Sequence, residues 1–344
     1  MMRFVKKFLL ITFFLGGLFR CQHDQQPVSR TEFLLGTYVT ITSYDIASEI
    51  PPEQAIDSAF AAIRLIEKVS NPFDTSSIVT QLNLRSAQER KMRLPSVLAE
   101  LVQRSMEISR QTQGQFDFTL WPVYKLWHFG TDSATVPPEN QITEALLRVG
   151  WERVHFSPPD SIVLQPGVEL DFGGIHKGFA VEKARLVLKK MGLQNFIIDA
   201  GGNLAIEWHR PDSVRVFVRH PRQEGKFIGM FPIYESCGIA TSGDYQFYFM
   251  QNGKRYHHIL NPQTGYPAEG VVSVSIVAPN AILADGFSTA VFVMGKLKGM
   301  AFIESHPELE GLIIFEDGGK GLQTQLSTGL RTIFKQTNYA TETP

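Results

Sequence analysis

The chain predicts an α+β fold, and three observations carry that expectation. Helical and strand patterns mix without a regular βαβ alternation, the C-terminal half reads as a succession of short strands with turn signals between them, and no repeat of roughly 20–50 residues is apparent. With 344 residues, 43% of them hydrophobic and 19% charged, the chain can bury a sizeable core in one large domain or two intimately joined ones. Formal net charge is −1 and no basic run follows the N-terminus, which argues against nucleic acid as a partner, because phosphate-backbone binding draws on clustered Lys and Arg.

The first residues stand apart. Arg3, Lys6 and Lys7 precede an apolar run from Phe8 to Phe19, too short for a typical membrane span but suited to a signal-peptide core, so residues 1–21 are expected to direct export. Leu18-Phe19-Arg20-Cys21 loosely follows a lipoprotein cleavage box in which Cys21 becomes the acylated N-terminus. Arg20 stands where that motif wants a small residue, so lipidation, simple cleavage and an uncleaved anchor all stay open. Residues 22–30 read as a tether to the folded body. Cys237 is then the remaining thiol, which excludes an internal disulfide and a cysteine metal site.

Within the body, Phe33 to Tyr44 alternates β-branched and aromatic residues around Gly36 and predicts a strand. Pro51-Pro52 opens a helix with Ile56, Ala59, Phe60, Ile63 and Ile66 at helical spacing, and Asn71-Pro72 stops it. A polar loop runs from Phe73 to Ser77. The next helix carries Leu98, Leu101, Val102, Ser105 and Ile108, with Gly114 as its cap. A third helix is predicted over Glu139 to Val149, followed by strands at Arg153 to Ser157, Ile162 to Gln165 and Val168 to Asp171. A helix follows the GGIHKG turn at Gly173 to Gly178, with Phe179, Val181, Ala184 and Leu188 on its apolar side. Strands are then expected at Asn195–Ala200, Val214–Arg219, Phe227–Ile233, Tyr245–Gln251, Arg255–Leu260 and Val271–Ala278. The Asn252-Gly253 pair is a hairpin signal, and a helix through Asp285, one further helix near Met300 and a hairpin around Gly318-Gly319 complete the chain.

Several clusters carry chemistry. Asp285, Ser288 and Thr289 fall at i, i+3 and i+4, one face of a helix, and offer one carboxylate and two hydroxyls. They are either hard-oxygen donors suited to Mg²⁺, or a helix-start cap with two packed hydroxyls. The GGIHKG turn brings Lys177 beside glycines that allow close backbone approach; it is either a phosphate cradle or a tight turn, and it lacks the spacing of a Walker loop. His257 and His258 point to opposite faces if their segment is extended, so one can enter a site while the other packs, and His258 is a candidate general base. Gln115 to Gly130 is the most aromatic stretch, either core or a wall that stacks on a planar ring, and Asp117 inside it must find a donor. Thr241-Ser242-Gly243-Asp244 is either a turn or a phosphate-side hydroxyl pair, and Ser242 has no nucleophile elbow around it.

Taken in order, Leu35-Gly36-Thr37-Tyr38, Gln115-Phe116-Asp117, LDFGGIHKG, IDAGGN, ATSGDY, HHILNPQTG and ADGFSTAVFVMG resemble the ApbE family of flavin transferases over essentially the whole exported body. The resemblance implies a two-lobed, T-fold-like α+β domain over residues 31–337, with FAD between its lobes and Mg²⁺ at the pyrophosphate. It implies transfer of FMN from FAD to a Thr or Ser hydroxyl of an acceptor protein, with release of AMP, and acceptors such as Nqr- and Rnf-type redox pump subunits or periplasmic flavoproteins. Carried over by position, Asp285 and Thr289 match metal ligands and Gly174 contributes near the metal. Ser288 stands where some members have a second Asp, which leaves a second Mg²⁺ open. Leu35, Phe73, Gln115, Phe116, Asp117, Asp171, Lys177 and Leu260 fall on flavin-nucleotide contact positions, with Phe73 replacing a Tyr or polar residue of many relatives. His258 matches the base. A Mg²⁺-dependent FAD pyrophosphatase and a non-catalytic FAD-binding protein are the alternatives.

Overall fold

A computed structural model of the chain describes residues 26–45, 49–85 and 91–336. The segment expected to direct export and Cys21 lie outside the described residues. The first strand, β1 (Val28–Leu34), starts inside the segment read as tether, because Val28 to Leu34 pair residue by residue with β2 (Thr37–Ser43). The single strand expected over Phe33 to Tyr44 is therefore a hairpin. Leu35 and Gly36 form its two-residue turn with φ of 56° and 71°, the double left-handed conformation of a type I′ turn.

Helix α1 (Pro52–Ser70) buries Ile56, Ala59, Phe60, Ile63 and Ile66 as their spacing requires and ends at Asn71. The polar loop after it leads into a short helix that the sequence reading missed, α2 (Ile78–Leu84), started by the Ser77 hydroxyl accepting from the Thr80 N–H. Strand β3 (Lys91–Arg93) and α3 (Ser96–Gln111) follow, then the one-turn α4 (Trp121–Tyr124) and α5 (Glu139–Leu146), shorter than expected. Strand β5 (Ser161–Leu164) pairs on one side with β4 (Val154–Ser157) and on the other with β3. Val168 to Asp171 does not form the expected strand. The Asn83 side chain takes up the Leu170 N–H (2.7 Å) and C=O (2.9 Å), and the Asp171 N–H goes to the Phe118 carbonyl (2.8 Å), so this backbone is satisfied without a ladder.

Helix α6 (His176–Lys190) leads to a hairpin of β6 (Phe196–Ala200) and β7 (Asn203–Glu207), turned at Gly201-Gly202. After β8 (Val214–Arg219) and β9 (Phe227–Ile233) comes β10 (Cys237–Gly243). Both β7 and β10 were missed in the sequence. The hairpin β11 (Tyr248–Gln251) and β12 (Lys254–His257) turns at Asn252-Gly253, and β13 (Ser273–Ala278) precedes α7 (Ala281–Glu304). The two helices expected around Asp285 and Met300 are this one element, broken at Gly295 (φ 78°). Strands β14 (Glu310–Asp317) and β15 (Gly321–Leu326), α8 (Thr328–Ile333) and β16 (Lys335–Gln336) end the described chain.

The centre is an eight-stranded antiparallel sheet in the order β1-β2-β6-β7-β10-β13-β14-β15. Alternation along each strand sends one set of side chains to each face. Val39, Ile41, Ile198, Ala205, Val274 and Ile276 join the core shared with α1, α6 and α7, while Ile206, Ile239 and Ile314 pack with β8 and β9 in a second core. Helix α7 is long and apolar enough to cross a membrane, but it is largely buried in that first core. A third cluster, built on Trp127, joins α4 and α5 to the β11–β12 hairpin.

Candidate active site

A cleft of about 500 Å³ opens at the ends of β2, β7 and β10, where the helical layer meets the sheet. Its polar wall starts at the glycine turn. The Asp171 Oδ1 accepts from the Gly173 N–H (2.8 Å), and the Phe172 carbonyl accepts from both the Ile175 and His176 N–H groups (2.9 Å each), so the chain turns straight into α6 with Lys177 in the first turn. Gly178 is demanded by proximity: a Cβ there would lie 2.2 Å from the Ala281 carbonyl oxygen and 2.5 Å from the Asp285 Cβ. The Gly178 N–H instead donates to Asp285 Oδ2 at 2.7 Å, docking α6 on α7. Gly174 is wedged similarly, between Thr289 and the Phe116 ring, and its carbonyl accepts from the Thr289 hydroxyl at 3.2 Å.

One carboxylate, one hydroxyl and one carbonyl thus converge from α7 and the turn. Among the described residues no group of three or more His, Cys, Asp or Glu could hold a metal. The oxygen set does fit Mg²⁺, which binds few protein oxygens and fills its sphere with water and substrate phosphate. Burial pushes the Asp285 carboxyl above its ordinary range, against the pull of the Lys177 charge and the Gly178 N–H. A cation there would relieve the cost of that burial.

Ser288 departs from the expected ligand set. It is fully buried, donates to the Asp285 carbonyl (2.9 Å) and lies 2.9 Å from the Ser242 hydroxyl, and it does not line the cleft. The reason is helical geometry: neighbouring residues project roughly 100° apart, so with Thr289 in the cleft Ser288 turns to the sheet.

His258 stands across from this wall, just past the end of β12. Its backbone N–H donates to the Phe247 carbonyl (3.0 Å), and its ring meets the Phe247 ring edge-on at 5.6 Å. Its Nδ1 is buried and has no partner among the described residues. Burial, with the Lys177 and His257 charges behind it, pushes the imidazole down to about 3. His257 faces away, with Nε2 2.9 Å from the Ala268 carbonyl, and is a packed structural histidine.

The aromatic stretch does both things its sequence allowed. Trp127 is core, with its indole N–H on the Gly265 carbonyl (3.1 Å). Phe73, Tyr124 and Phe129 line the cleft, and Phe73, 67% exposed, sits edge-on to Trp121 at 4.9 Å, leaving ring surface at the mouth. Leu35, Gln115, Phe116, Asp117, Asp171, Lys177 and Leu260 also line it. Asp117 finds its donors locally: Oδ1 accepts from the Thr119 N–H (2.8 Å) and O–H (2.6 Å), and Oδ2 from the Trp151 N–H (3.0 Å).

Residues 35–313 match the ApbE family. The chain belongs to that family. An FAD:protein FMN transferase of Treponema pallidum is 31% identical over 307 residues, 84% of each chain. One from Haemophilus influenzae is 26% identical over 318 residues, 88% of this chain and 91% of that one. The crystal structure of an ApbE protein from Thermotoga maritima superposes with a TM-score of 0.82 at 30% identity, over 90% of this chain and all of its own. The flavinyl transferase ApbE of Pseudomonas stutzeri gives 0.79 at 27%, over 90% and 97%.

The ApbE cleft of this chain includes residues that sequence reasoning passed over. His176 lines it, pushed down to about 3 by burial and then by Lys177; its place beside Lys177 in the turn was the available signal. Glu67 accepts from the Leu35 N–H at 2.8 Å, across 32 residues, with nothing local to announce it. Asn203 completes the floor beside Thr241 and Ser242, the pair that the sequence offered as phosphate-side hydroxyls or a turn.

Proposed function

We propose that this ApbE-family enzyme is an FAD:protein FMN transferase. The observation that carries the reading is one cleft holding an imidazole with a buried, unpartnered Nδ1, a lysine, and the oxygen set of Asp285, Thr289 and Gly174. The aromatic side receives the planar isoalloxazine, and Lys177 brings a point charge to the pyrophosphate. An acceptor Ser or Thr hydroxyl attacks the phosphorus on the FMN side and forms a phosphoester. The pyrophosphate P–O bond breaks, AMP carries away the electron pair, and the hydroxyl proton passes to the His258 imidazole.

Held near 3, the His258 imidazole is neutral at physiological pH and needs no prior deprotonation. Its low basicity owes part to Lys177, and a bound pyrophosphate offsets that charge, so substrate binding itself raises the proton affinity of the base. Asp285, the Thr289 hydroxyl and the Gly174 carbonyl would hold Mg²⁺, which when bound neutralises pyrophosphate charge and acts as a Lewis acid. The N-terminal charge and hydropathy pattern supports export and membrane attachment, by anchor or lipid at Cys21, within reach of Nqr- or Rnf-type pump subunits or periplasmic flavoproteins.

Incubation of purified protein with FAD, Mg²⁺ and a candidate acceptor decides among the outcomes. Covalent flavin fluorescence on the acceptor supports the reading. Free FMN with no labelled acceptor means water takes the hydroxyl's place and the protein is an FAD pyrophosphatase, and unchanged FAD means a binding protein.

A further inference from the structure

Five buried side-chain polar atoms lack a hydrogen-bond partner among the described residues, and two of them, His258 Nδ1 and Asn203 Oδ1, belong to residues that line the same cleft. Native proteins pair nearly all such atoms, so two orphans on one cavity mark groups whose partner arrives with a ligand. His258 is accounted for by proton transfer; Asn203 is not.

The fold explains where Asn203 points. Gly201 and Gly202 turn at φ 64° and 99°, and Asn203 closes the hairpin opposite Ala200 as the first residue of β7. Alternation puts it on the face of Ala205, which joins the core under the helices. The side chain is 3% exposed. Two positions further along that face, Glu207 is matched by Arg185 at 2.6 Å, Lys189 at 2.9 Å and His209 at 2.8 Å. The same strand face thus carries one saturated polar residue at the closed end and one unsatisfied residue at the open end.

We infer that Asn203 is a specificity-determining contact for the dinucleotide: its carboxamide pairs with the edge of a planar heterocycle that offers an N–H beside an acceptor atom. This rests on the reading of the cleft as an FAD site. A carboxamide presents an acceptor and donors side by side in one plane, the complement of such an edge, as when Asn pairs with the amine and ring nitrogen of adenine. FAD carries this edge twice, at the adenine amine with its neighbouring ring nitrogen and at the flavin imide N–H between two carbonyls. The cost of an unpartnered buried carbonyl is then borne by the empty enzyme and recovered on binding.

The test is binding of FAD, AMP and FMN, each by itself, to the full protein and to Asn203→Leu, which has the same branched outline with bulkier methyl groups and no polar atom, together with thermal melts without ligand. The expected result is an unliganded melting temperature equal to or above wild type, FAD affinity lower by about tenfold or more, and loss confined to AMP or to FMN, which identifies the edge. Asn203→Ala, which adds no volume, gives the same readout if Leu is not accommodated. Equal FAD affinity in wild type and variant, or equal loss for both half-molecules with a lowered melting temperature, overturns the assignment and leaves the FAD site standing. A wild type that binds none of the three takes the reading of the cleft down with it.

Discussion

Two polar clusters are built on the same pair of elements, α6 and β7, and they differ in whether their hydrogen bonds are complete. In the closed cluster, the Arg185 guanidinium spans Glu182 (2.6 Å) and Glu207 (2.6 Å), Lys189 and His209 fill the rest of Glu207, and Glu182 Oε2 accepts from the Ala281 N–H (3.2 Å) at the start of α7. At the other end, the cleft leaves His258 Nδ1 and Asn203 Oδ1 unpartnered, and Lys177 makes no ion pair among the described residues. Burial and polarity are shared, so neither distinguishes a site from a strut. Completeness does: a saturated cluster holds elements together, and an open one waits for something that is not protein.

Breaking the open cluster should cost chemistry. His258→Ala is expected to keep FAD binding and to lower transfer to the acceptor by about 10²–10⁴, the usual worth of a positioned general base. Initial rates of covalent flavin fluorescence measure it, and wild-type rates in the variant would remove the base assignment. Asp285→Asn keeps an oxygen for the Gly178 N–H and discards the charge, so the protein should fold while transfer falls by about 10²-fold or more and the Mg²⁺ requirement rises. Chelation with EDTA should abolish wild-type transfer reversibly.

Breaking the closed cluster should cost stability. Arg185→Ala leaves Glu182 and Glu207 buried without their shared cation, and a loss of about 3–5 kcal/mol is expected in denaturant unfolding. Transfer per folded molecule should change little. If Arg185→Ala instead unfolded normally and lost transfer alone, the division between strut and site would fail.

A smaller effect separates the two in pH. His258 is held near 3 in the native state and is free to titrate near 6.5 when unfolded, so between those values the unfolded chain binds the proton that the native state refuses. Stability therefore rises with pH across that window and is lost as pH falls below about 6.5. His176, also near 3, acts in the same direction, whereas Asp117, Asp171 and Asp285, all pushed up by burial, act in the opposite one. The comparison of wild type with His258→Leu isolates the one imidazole: the variant's stability should fall less steeply below pH 6.5, by on the order of 1 kcal/mol per pH unit.

This division explains what was legible beforehand. Helices α1, α3 and α6 were legible because their apolar spacing is a local property, and the Asn252-Gly253 and Gly318-Gly319 turns because glycine and asparagine announce positive φ. Strand β10 was not: CGIATSG is buried on both faces at almost every position in the middle of the sheet, so it shows neither alternation nor a β-branched run. Helix α2 is seven residues started by a serine, too short for a period to register. The site residues Lys177, His258, Asp285 and Thr289 could be named from their motifs, although 112 positions separate the first from the last. Ser288 was misplaced because an i, i+3, i+4 pattern marks a face about a third of a turn wide, and the cleft uses one edge of it. Whether a polar atom has a partner is a property of packing, and Asn203 could not be singled out from IDAGGN alone.

Glu67 supplies the finest test, because it lies in the cleft and yet one of its carboxylate oxygens is already bonded within the fold. Its Oε1 accepts from the N–H of Leu35, whose φ of 56° is unfavourable for a residue with a side chain and is held by this bond and by burial of the leucine against the cleft. If completeness of hydrogen bonding separates strut from site, the Glu67 charge is dispensable. Glu67→Gln keeps an oxygen for that N–H, and it should change stability by less than about 0.5 kcal/mol and FAD affinity by less than about twofold. Glu67→Ala removes the acceptor, leaves the Leu35 N–H unpaired beside the cleft and releases the turn. It should cost about 1–3 kcal/mol in unfolding and weaken FAD binding through Leu35 alone. A Gln variant that bound FAD as poorly as the Ala variant would mean the carboxylate charge itself meets the ligand, and Glu67 would move from the closed group to the open one.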